Sequence, residues 1–426
     1  MAIKSGSIPA LSLAIIAAGG ALAAPPAPEG GRWLTSWYAA PQAAWDPTFI
    51  LPMNVPVTLD NQSLQETVRL SAGGRRLRLV FSNRYGREPV TLGEVRVQAD
   101  GAFHTRQALT FSGKPGASIA PGAVAISDPL TLDVAPLSKV TVTSYLPSPT
   151  PVSTFHWGAQ QTTHIAAGNL ARTAAFPKSA AVAGRLFLSA VMVEAAPNAR
   201  TARTVVVLGD SITDGNGSTP DANRRWPDFL AERLEPHGMA VANAAISGAR
   251  LLRDGMGQNA LARLAHDVLS QPGVSDVVVL LGTNDIGWPG GPFAPQERAV
   301  TLDELITGFR QLVAAAHARG IRITAGTLPP FEGALEGTPY AGHYSLAKER
   351  VRQQLNHWIR SAGEFDAVVD FDAVLRDPAR PQRMLPAFDS GDHLHPGDAG
   401  YRAMAAAVEI ARLRPPAHPR PRGTER

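Results

Sequence analysis

The chain has 426 residues, which is long enough for two or three domains and a large buried core. Hydrophobic residues make up 44% of the sequence and charged residues 18%, which excludes an intrinsically disordered chain and a polytopic membrane protein. The net charge is +4, and the last sixteen residues alone carry five arginines against one glutamate. We therefore expect a nearly neutral folded body with a basic tail, a distribution that does not favour nucleic-acid binding.

The cellular compartment has to be inferred from the N-terminus, because the sequence contains no cysteine. Lys4 is the only charge before an apolar, alanine-rich stretch from Ile8 to Ala24, which ends in the small-x-small pattern Ala21-Leu22-Ala23. This pattern predicts a cleaved secretory signal peptide over residues 1–24. A transmembrane anchor is the alternative, but about 17 apolar residues are few for a bilayer span. The sequence thus predicts a periplasmic or secreted protein with no stable membrane insertion after cleavage.

Residues 32–196 alternate between apolar and polar side chains, as in 76–81 and 139–143, with glycine, proline and asparagine clusters between the runs. Many short strands of this kind predict an all-β sandwich or jelly-roll-like accessory domain. The turn-like Ala72-Gly73-Gly74 lies between two alternating runs, so we expect it to close a β-hairpin.

The period changes in residues 200–414, which we predict to form the catalytic domain. The runs 204–208 and 277–281 are continuously apolar, as in parallel strands buried on both faces. Further strands are expected near 240–243, 321–325 and 367–369, and helices are expected at 223–234, 259–269, 302–318, 345–359 and 399–413. The alternation predicts an α/β domain with a doubly wound five-stranded parallel sheet. Its active site should lie beyond the carboxyl ends of the strands, and a basic, proline-rich tail follows at 415–426.

A candidate nucleophile follows the first predicted parallel strand, in Gly209-Asp210-Ser211. Alone, this tripeptide is equally typical of a turn or a helix cap. A serine hydroxyl needs a base and an orienting acid, and the segment after the last strand supplies His395 with Asp392 three residues before it. In this arrangement Asp392 would fix the tautomer of His395, whose other ring nitrogen removes the Ser211 proton.

Donors for a developing oxyanion are expected at two more strand ends. Gly248 follows the second strand, and without a side chain its N–H can approach a substrate closely. The third strand ends in Gly282-Thr283-Asn284-Asp285, where the Asn284 amide can donate. Singly, Gly248 is more typical of a turn and Asn284 of a cap, but with the Ser211 N–H they form a three-donor pocket.

The blocks Gly209-Asp210-Ser211, Gly248, Gly282-Thr283-Asn284-Asp285 and 392–396 resemble, in content and order, those of the SGNH (GDSL-type) hydrolase superfamily. The resemblance covers roughly residues 204–413. It implies a flavodoxin-like sheet, a Ser211/His395/Asp392 triad, an oxyanion hole of Ser211, Gly248 and Asn284, and metal-free, cofactor-free ester hydrolysis. Substrates in that superfamily include acetylated glycans, lipids, aryl esters and thioesters.

The N-terminal region is similar to the β-sandwich that precedes such domains in a bacterial secreted subgroup, through 33–42, 82–86 and 127–129. Its tryptophans Trp33, Trp37 and Trp157 suit either core anchors or sugar-stacking platforms. A packing domain that walls one side of the cleft and a carbohydrate-binding domain both remain open.

Three aromatic side chains are predicted to contact the substrate. Trp288 and Phe331 follow the third and fourth strands, whose ends point toward the crevice, and Trp226 lies near the start of the first helix. A solvated helix start is the alternative for Trp226.

The sequence therefore predicts a secreted serine esterase that cleaves a short acyl group, with an acetylated glycan as a candidate substrate. An acyltransferase, a lipase or an arylesterase using the same triad are alternatives. A metal-dependent phosphoesterase is a more distant one, because Asp210, Asn284, Asp285, His393 and His395 are residue types that bind divalent ions. However, no Asp-x-His occurs at an early strand end. The oligomeric state is left open.

Overall fold

The structure is a computed structural model that describes residues 31–101, 106–177, 180–196 and 202–413. The predicted signal peptide at 1–24 and the basic tail at 415–426 lie outside these ranges. Within them, no helix is both long and apolar enough to cross a membrane.

The strands up to residue 196 pair antiparallel. They are β1 (Trp33–Tyr38), β2 (Gln42–Ala43), β3 (Thr58–Leu59), β4 (Gln62–Arg69), β5 (Gly74–Ser82), β6 (Val90–Leu92), β7 (Val95–Ala99), β8 (Gln107–Leu109), β9 (Ala117–Ile119), β10 (Val124–Ile126), β11 (Leu130–Val134), β12 (Lys139–Leu146), β13 (Thr150–Pro151), β14 (Thr154–Ala167), β15 (Ala180–Leu186) and β16 (Leu188–Glu194). One sheet has the order β1-β16-β5-β10, with β11 also paired to β5. A second has the order β15-β14-β4-β12-β7-β8, with β2 also paired to β14.

The alternating pattern places one face of each strand in a core shared by the two sheets. Leu77, Leu79 and Phe81 of β5 are fully buried, and they belong to the same hydrophobic cluster as Val140 and Val142 of β12 in the other sheet. Burial of every second residue is what a period of two produces when a sheet packs on one side. The prediction of an all-β, antiparallel N-terminal region is confirmed.

The predicted hairpin at Ala72-Gly73-Gly74 is wrong. The flanking strands β4 and β5 belong to different sheets, so this turn carries the chain from one sheet to the other. A Cβ on Gly73 would lie 2.5 Å from the carbonyl oxygen of Val134, so a close backbone approach explains this glycine. Alternation and turn residues predict strands, but they do not tell with which strand each one pairs.

The region from residue 202 to 413 alternates strands and helices. Its strands are β17 (Arg203–Gly209), β18 (Met239–Asn243), β19 (Val274–Leu280), β20 (Arg322–Gly326), β21 (Ala367–Val369), β22 (Arg376–Asp377) and β23 (Arg380–Met384). Its α-helices are α1 (Ser211–Asp214), α2 (Trp226–Leu234), α3 (Ala260–Leu264), α4 (Thr283–Gly287), α5 (Leu302–His317), α6 (Leu346–Ser361), α7 (Phe371–Leu375) and α8 (Asp398–Ala407). A π-helical turn at Ala265–Leu269 extends α3, and 3₁₀ turns occur at Glu235–His237 and Ile410–Leu413.

Strands β17 to β21 form a parallel sheet with the order β18-β17-β19-β20-β21. Along β17, Val206 and Leu208 join the hydrophobic cluster on one face of the sheet, whereas Val205 and Val207 join the cluster on the other face. Because both faces of these strands are buried, their sequences are continuous apolar runs. Within the described residues, the predicted doubly wound sheet of five parallel strands is confirmed.

Direct contacts join the antiparallel region up to residue 196, called the β region below, to the α/β region of residues 202–413. The Tyr38 hydroxyl donates to Oδ1 of Asp267 at 2.6 Å, and Nε1 of Trp45 donates to the Met256 carbonyl at 2.6 Å. Strand β1 also packs beside β18, the edge strand of the parallel sheet. The β region therefore packs against the side of the α/β region that carries the loop after β18.

Candidate active site

Ser211 lies at the carboxyl end of β17, where the chain turns directly from the strand into α1. The Asp210 carboxylate caps that helix by accepting the N–H of Ile212 at 3.0 Å. A Cβ on Gly209 would lie 2.2 Å from Oγ1 of Thr213, so the turn is tight enough to require glycine there. As the first residue of α1, Ser211 has an N–H without a partner inside the helix. Both the hydroxyl and the N–H of Ser211 are therefore presented at the end of the strand.

The structure brings Ser211, His395 and Asp392 together. Nε2 of His395 lies 2.8 Å from Oγ of Ser211, and Nδ1 of His395 lies 2.5 Å from Oδ2 of Asp392. Oδ1 of Asp392 accepts the N–H of His395 at 2.8 Å and that of Leu394 at 2.9 Å. An ionised carboxylate only accepts hydrogen bonds, so Nδ1 carries the hydrogen and Nε2 is left to accept the serine proton.

The electrostatics of Asp392 keep it ionised. Burial alone would raise its pKa, but the hydrogen bond and charge of His395, with the two backbone N–H groups, outweigh burial and hold the pKa well below its usual range. Asp392 therefore stays negative and can stabilise an imidazolium on His395 when that ring takes up a proton.

The two other predicted donors lie after β18 and β19, the two strands that flank β17 in the sheet. Gly248, in the loop after β18, has φ +69°, which favours glycine, and a Cβ there would lie 2.4 Å from Sδ of Met256. Asn284, in α4 after β19, donates through Nδ2 to the Ala249 carbonyl at 3.0 Å. That bond fixes the amide and leaves its second hydrogen available, which is the arrangement an oxyanion donor needs.

Asp285 ties these two donor segments together. Its carboxylate accepts the N–H of Leu251 at 2.7 Å and that of Leu252 at 3.0 Å, so α4 is bonded to the loop that carries Gly248. Burial raises the pKa of Asp285 from its usual value, and the two N–H groups and Arg250 oppose that effect. Asp285 thus acts as a structural acceptor next to Asn284.

Asp210 is fully buried, and only one of its carboxylate oxygens has a hydrogen-bond partner in the described part of the chain. Burial raises the pKa of Asp210 to about 7, and the nearby Asp285 charge adds to that effect. Among the described residues, no group of three or more histidine and carboxylate side chains lies close enough to hold a metal ion.

The structure buries two of the three predicted substrate contacts, Trp226 and Phe331, in the protein interior. Trp226 is fully buried, with its ring centre 5.6 Å from that of Phe371 and its Nε1 donating to Oγ1 of Thr213 at 3.3 Å. Phe331 is 1% exposed and packs edge-on against His343 and Tyr344. Trp226 is the first residue of α2, and its side chain lies on the buried face of that helix. A position near the start of a helix does not tell which face of the helix a residue occupies.

We expect Trp226→Phe to lower the free energy of unfolding by roughly 1 to 3 kcal/mol, because it leaves a cavity in a fully buried site. The KM for an ester substrate should not change, since the ring has no exposed surface. Thermal unfolding and steady-state kinetics on the same preparation would check this. A raised KM with unchanged stability would return Trp226 to the substrate site.

Trp288 lies beside Gly248, and its predicted substrate contact stays a prediction. Its ring atom Cζ2 would be 3.0 Å from a Cβ on Gly248, and only 3% of the residue is exposed. One face of Trp288 stacks on Phe293 at 4.8 Å, and Phe293 stacks on Tyr340 at 5.5 Å. An aromatic row therefore runs outward from the Gly248 loop.

The sequence analysis missed a polar cluster behind Ser211. Oδ2 of Asp214 accepts the Ser247 hydroxyl at 2.7 Å, and Oδ1 of Asp214 lies 3.0 Å from Nε2 of His156 in the β region. In the sequence, Asp214 follows Ser211 by three residues and Ser247 directly precedes Gly248. Their closeness to these motifs could have marked both as candidate site residues. No local pattern marks His156, because a contact between two separate regions leaves no periodicity in either.

A protein-family model described as the GDSL-like lipase/acylhydrolase family matches residues 207–403, the segment that carries Ser211, Asn284 and His395. Residues 207–403 are a GDSL-like lipase/acylhydrolase domain. No curated protein matches this chain.

Solved structures that the GDSL-like domain resembles include a GDSL-like lipase from Bacteroides thetaiotaomicron VPI-5482, at 21% identity over 51% of this chain and 91% of that chain, with a TM-score of 0.38. An acetyl xylan esterase from Geobacillus stearothermophilus matches at 24% identity over 50% of this chain and 95% of that chain, with a TM-score of 0.36. An aryl esterase from M. smegmatis matches at 18% identity over 48% of this chain and 96% of that chain, with a TM-score of 0.38.

Proposed function

We propose that this protein is an exported serine esterase that hydrolyses carboxylic esters through an acyl-enzyme on Ser211. The observation that carries the proposal is the pair of contacts of His395, at 2.8 Å to Oγ of Ser211 and at 2.5 Å to Oδ2 of Asp392. A hydroxyl, a base and an orienting acid in this order are what activates a serine as a nucleophile. The export part rests on the sequence pattern of residues 1–24.

The reaction proceeds in two steps. Oγ of Ser211 attacks the ester carbonyl while Nε2 of His395 takes the hydroxyl proton, and the N–H groups of Ser211 and Gly248 with the Asn284 amide bind the oxyanion. Collapse of this intermediate breaks the bond to the alcohol, which leaves with the proton from His395, and the acyl group stays on Ser211. A water molecule, deprotonated by His395, then releases the carboxylic acid and restores Ser211.

The surroundings of Ser211 support a short acyl group. Ser211 is 7% exposed and His395 8% exposed, so little surface around the nucleophile is open. Met256 and Trp288 lie close to Gly248 and leave no room for a side chain there. A two-carbon or four-carbon acyl chain needs less room beside the carbonyl than a fatty-acyl chain.

A cleft between the two regions supports an acylated glycan as the substrate. It has a volume of about 550 Å³ and is lined by Trp45, Phe49, Phe293, Asp46, Asp254 and Gln258, among others. Aromatic faces with a few carboxylate and amide groups suit the apolar faces and hydroxyls of sugars. Phe293 stacks on Trp288, so the cleft lies one aromatic layer from the Gly248 loop.

Hydrolysis by the mature protein of p-nitrophenyl acetate, butyrate, octanoate and palmitate tests the proposal. We expect kcat/KM to be highest for acetate or butyrate and to fall by at least tenfold at octanoate. Activity should also survive prolonged EDTA treatment, because the mechanism uses no metal. A maximum of kcat/KM at the palmitate ester would indicate a lipase. Loss of activity in EDTA with recovery on adding a divalent ion would contradict the mechanism.

An acyltransferase with the same triad differs only in the acceptor of the acyl group. Adding a soluble oligosaccharide to the p-nitrophenyl acetate reaction and measuring acetylated sugar against free acetate separates the two. We expect free acetate to be the main product. Acetylated sugar as the main product would replace hydrolysis by transfer.

A further inference from the structure

Strand β14 carries a bulge that leaves its sheet. In its pairing with β15, Trp157 lies opposite Gly184 and the next pair is Thr162 with Ala183, so residues 158–161 have no partner in β15. Gly158, Ala159 and Gln160 have φ values of +80°, +36° and +50°. Positive φ is an unfavourable backbone conformation for alanine and glutamine. Contacts outside the sheet must therefore hold this bulge in place.

Those contacts lie in the chain that follows the nucleophile. Nε2 of Gln160 donates to Oδ1 of Asn216 at 3.2 Å, and the Gln160 carbonyl accepts the N–H of Asp221 at 2.9 Å. A Cβ on Gly158 would lie 3.7 Å from Oδ1 of Asn216 and 3.7 Å from Oγ of Ser247. The bulge therefore packs on the segment that begins at the end of α1.

His156, just before the bulge, is buried between two acceptors. Its Nδ1 lies 2.8 Å from the carbonyl oxygen of Ala40, and its Nε2 lies 3.0 Å from Oδ1 of Asp214. A carbonyl oxygen only accepts, so Nδ1 carries a hydrogen, and the contact between Nε2 and Oδ1 then needs a second proton. His156 and Asp214 therefore form a buried hydrogen-bonded pair, with His156 4% and Asp214 1% exposed.

Asp214 connects this pair to two parts of the catalytic site. It is the last residue of α1, whose first residue is Ser211, and its N–H donates to the Asp210 carbonyl at 2.8 Å. Its Oδ2 accepts the hydroxyl of Ser247, the residue before Gly248. One carboxylate thus joins the helix of the nucleophile to the loop of an oxyanion donor, and His156 holds that carboxylate from the β region.

We propose that His156 is a positioning residue, which acts through Asp214 and Ser247 to fix the separation between the Ser211 hydroxyl and the Gly248 N–H. The β region then completes the active site instead of only packing beside it. This inference rests on the proposed function, because it concerns the same serine and the same oxyanion donor. A shift of about 1 Å between a nucleophile and its partners can lower a rate by about 10².

Two amide variants separate the two hydrogen bonds of His156. Glutamine can place an N–H near the position of Nε2, which keeps the donor to Asp214, whereas asparagine reaches only the position of Nδ1, which keeps the donor to Ala40. We expect His156→Gln to keep kcat for p-nitrophenyl acetate within about threefold of the natural chain. We expect His156→Asn to lower kcat by about 10- to 100-fold with KM changed less than threefold.

Phe155→Leu is the matched control for a loss of stability in the same strand. Phe155 neighbours His156, is 2% exposed, and packs in the sandwich core edge-on to Trp45. Its substitution should lower the melting temperature and leave kcat within twofold. The rate of labelling by a small fluorophosphonate should fall in His156→Asn by the same factor as kcat, because the probe reports the reactivity of Ser211 without needing the natural substrate.

Ser211→Ala in the same assay separates the positioning role of His156 from the proposed esterase function. Full activity of His156→Asn while Ser211→Ala is inactive would overturn the positioning role and leave the esterase proposal intact. An equal loss of kcat in Phe155→Leu at equal loss of stability would also overturn it. Activity that persists in Ser211→Ala would overturn the proposed function and, with it, this inference.

Discussion

Ser211→Ala is expected to lower kcat for ester hydrolysis by a factor of roughly 10⁴ to 10⁶ while the protein stays folded. The substitution removes the atom that forms the bond to the acyl group, and His395 is left 2.8 Å from a position that no longer holds an oxygen. Steady-state kinetics on p-nitrophenyl acetate, with thermal unfolding of the same sample, would measure both effects.

Ser218→Ala is the matched control, because Ser218 is 4% exposed and its hydroxyl has no hydrogen-bond partner among the described residues. Ser218 lies in the segment that follows α1, and Ser218→Ala should keep kcat within about twofold of the natural chain. The double variant Ser211→Ala/His395→Ala should be no slower than either single variant by more than a few-fold, because the two residues act as one unit. A loss below 100-fold in Ser211→Ala would contradict a serine nucleophile at this position.

Asn284→Ala should lower kcat by about 10² to 10³, the typical effect of removing one oxyanion donor. KM should change much less, because the donor bonds the transition state more strongly than the ground state. The substitution also removes the hydrogen bond to the Ala249 carbonyl, so a stability measurement must accompany the kinetics.

Thr283→Val tests whether any substitution in α4 lowers kcat as Asn284→Ala does. Thr283 precedes Asn284, is 2% exposed, and has a hydroxyl without a hydrogen-bond partner in the described residues. We expect Thr283→Val to retain kcat within about threefold. An equal fall in kcat for Thr283→Val and Asn284→Ala would show that the helix, and not the amide, carries the effect.

The architecture of the α/β region was predictable because its signals are local. Runs such as Val205 to Leu208 are apolar without alternation, since both faces of the parallel sheet are covered. Ser211 and Asn284 directly follow the parallel strands β17 and β19, and the ends of parallel strands meet at one edge of the sheet. Their convergence therefore follows from position along the chain together with topology.

The features that were missed depend on contacts that local patterns do not encode. Ala72-Gly73-Gly74 is a turn, but its role as a passage between two sheets depends on strand pairing across the whole region. Trp226 lies at the start of α2, and its burial depends on which face of the helix meets the sheet. The contact of His156 with Asp214 joins residues 58 positions apart in two regions of different period.

The central claim, a covalent acyl-enzyme on Ser211, is tested most directly by mass spectrometry of the protein after a rapid acid quench during turnover of p-nitrophenyl acetate. We predict a single added acetyl group per chain, located on the peptide that contains Ser211 and absent in Ser211→Ala. An acetyl group on another residue, or steady Ser211-dependent hydrolysis with no covalent adduct after quenching on the millisecond scale, would contradict the account.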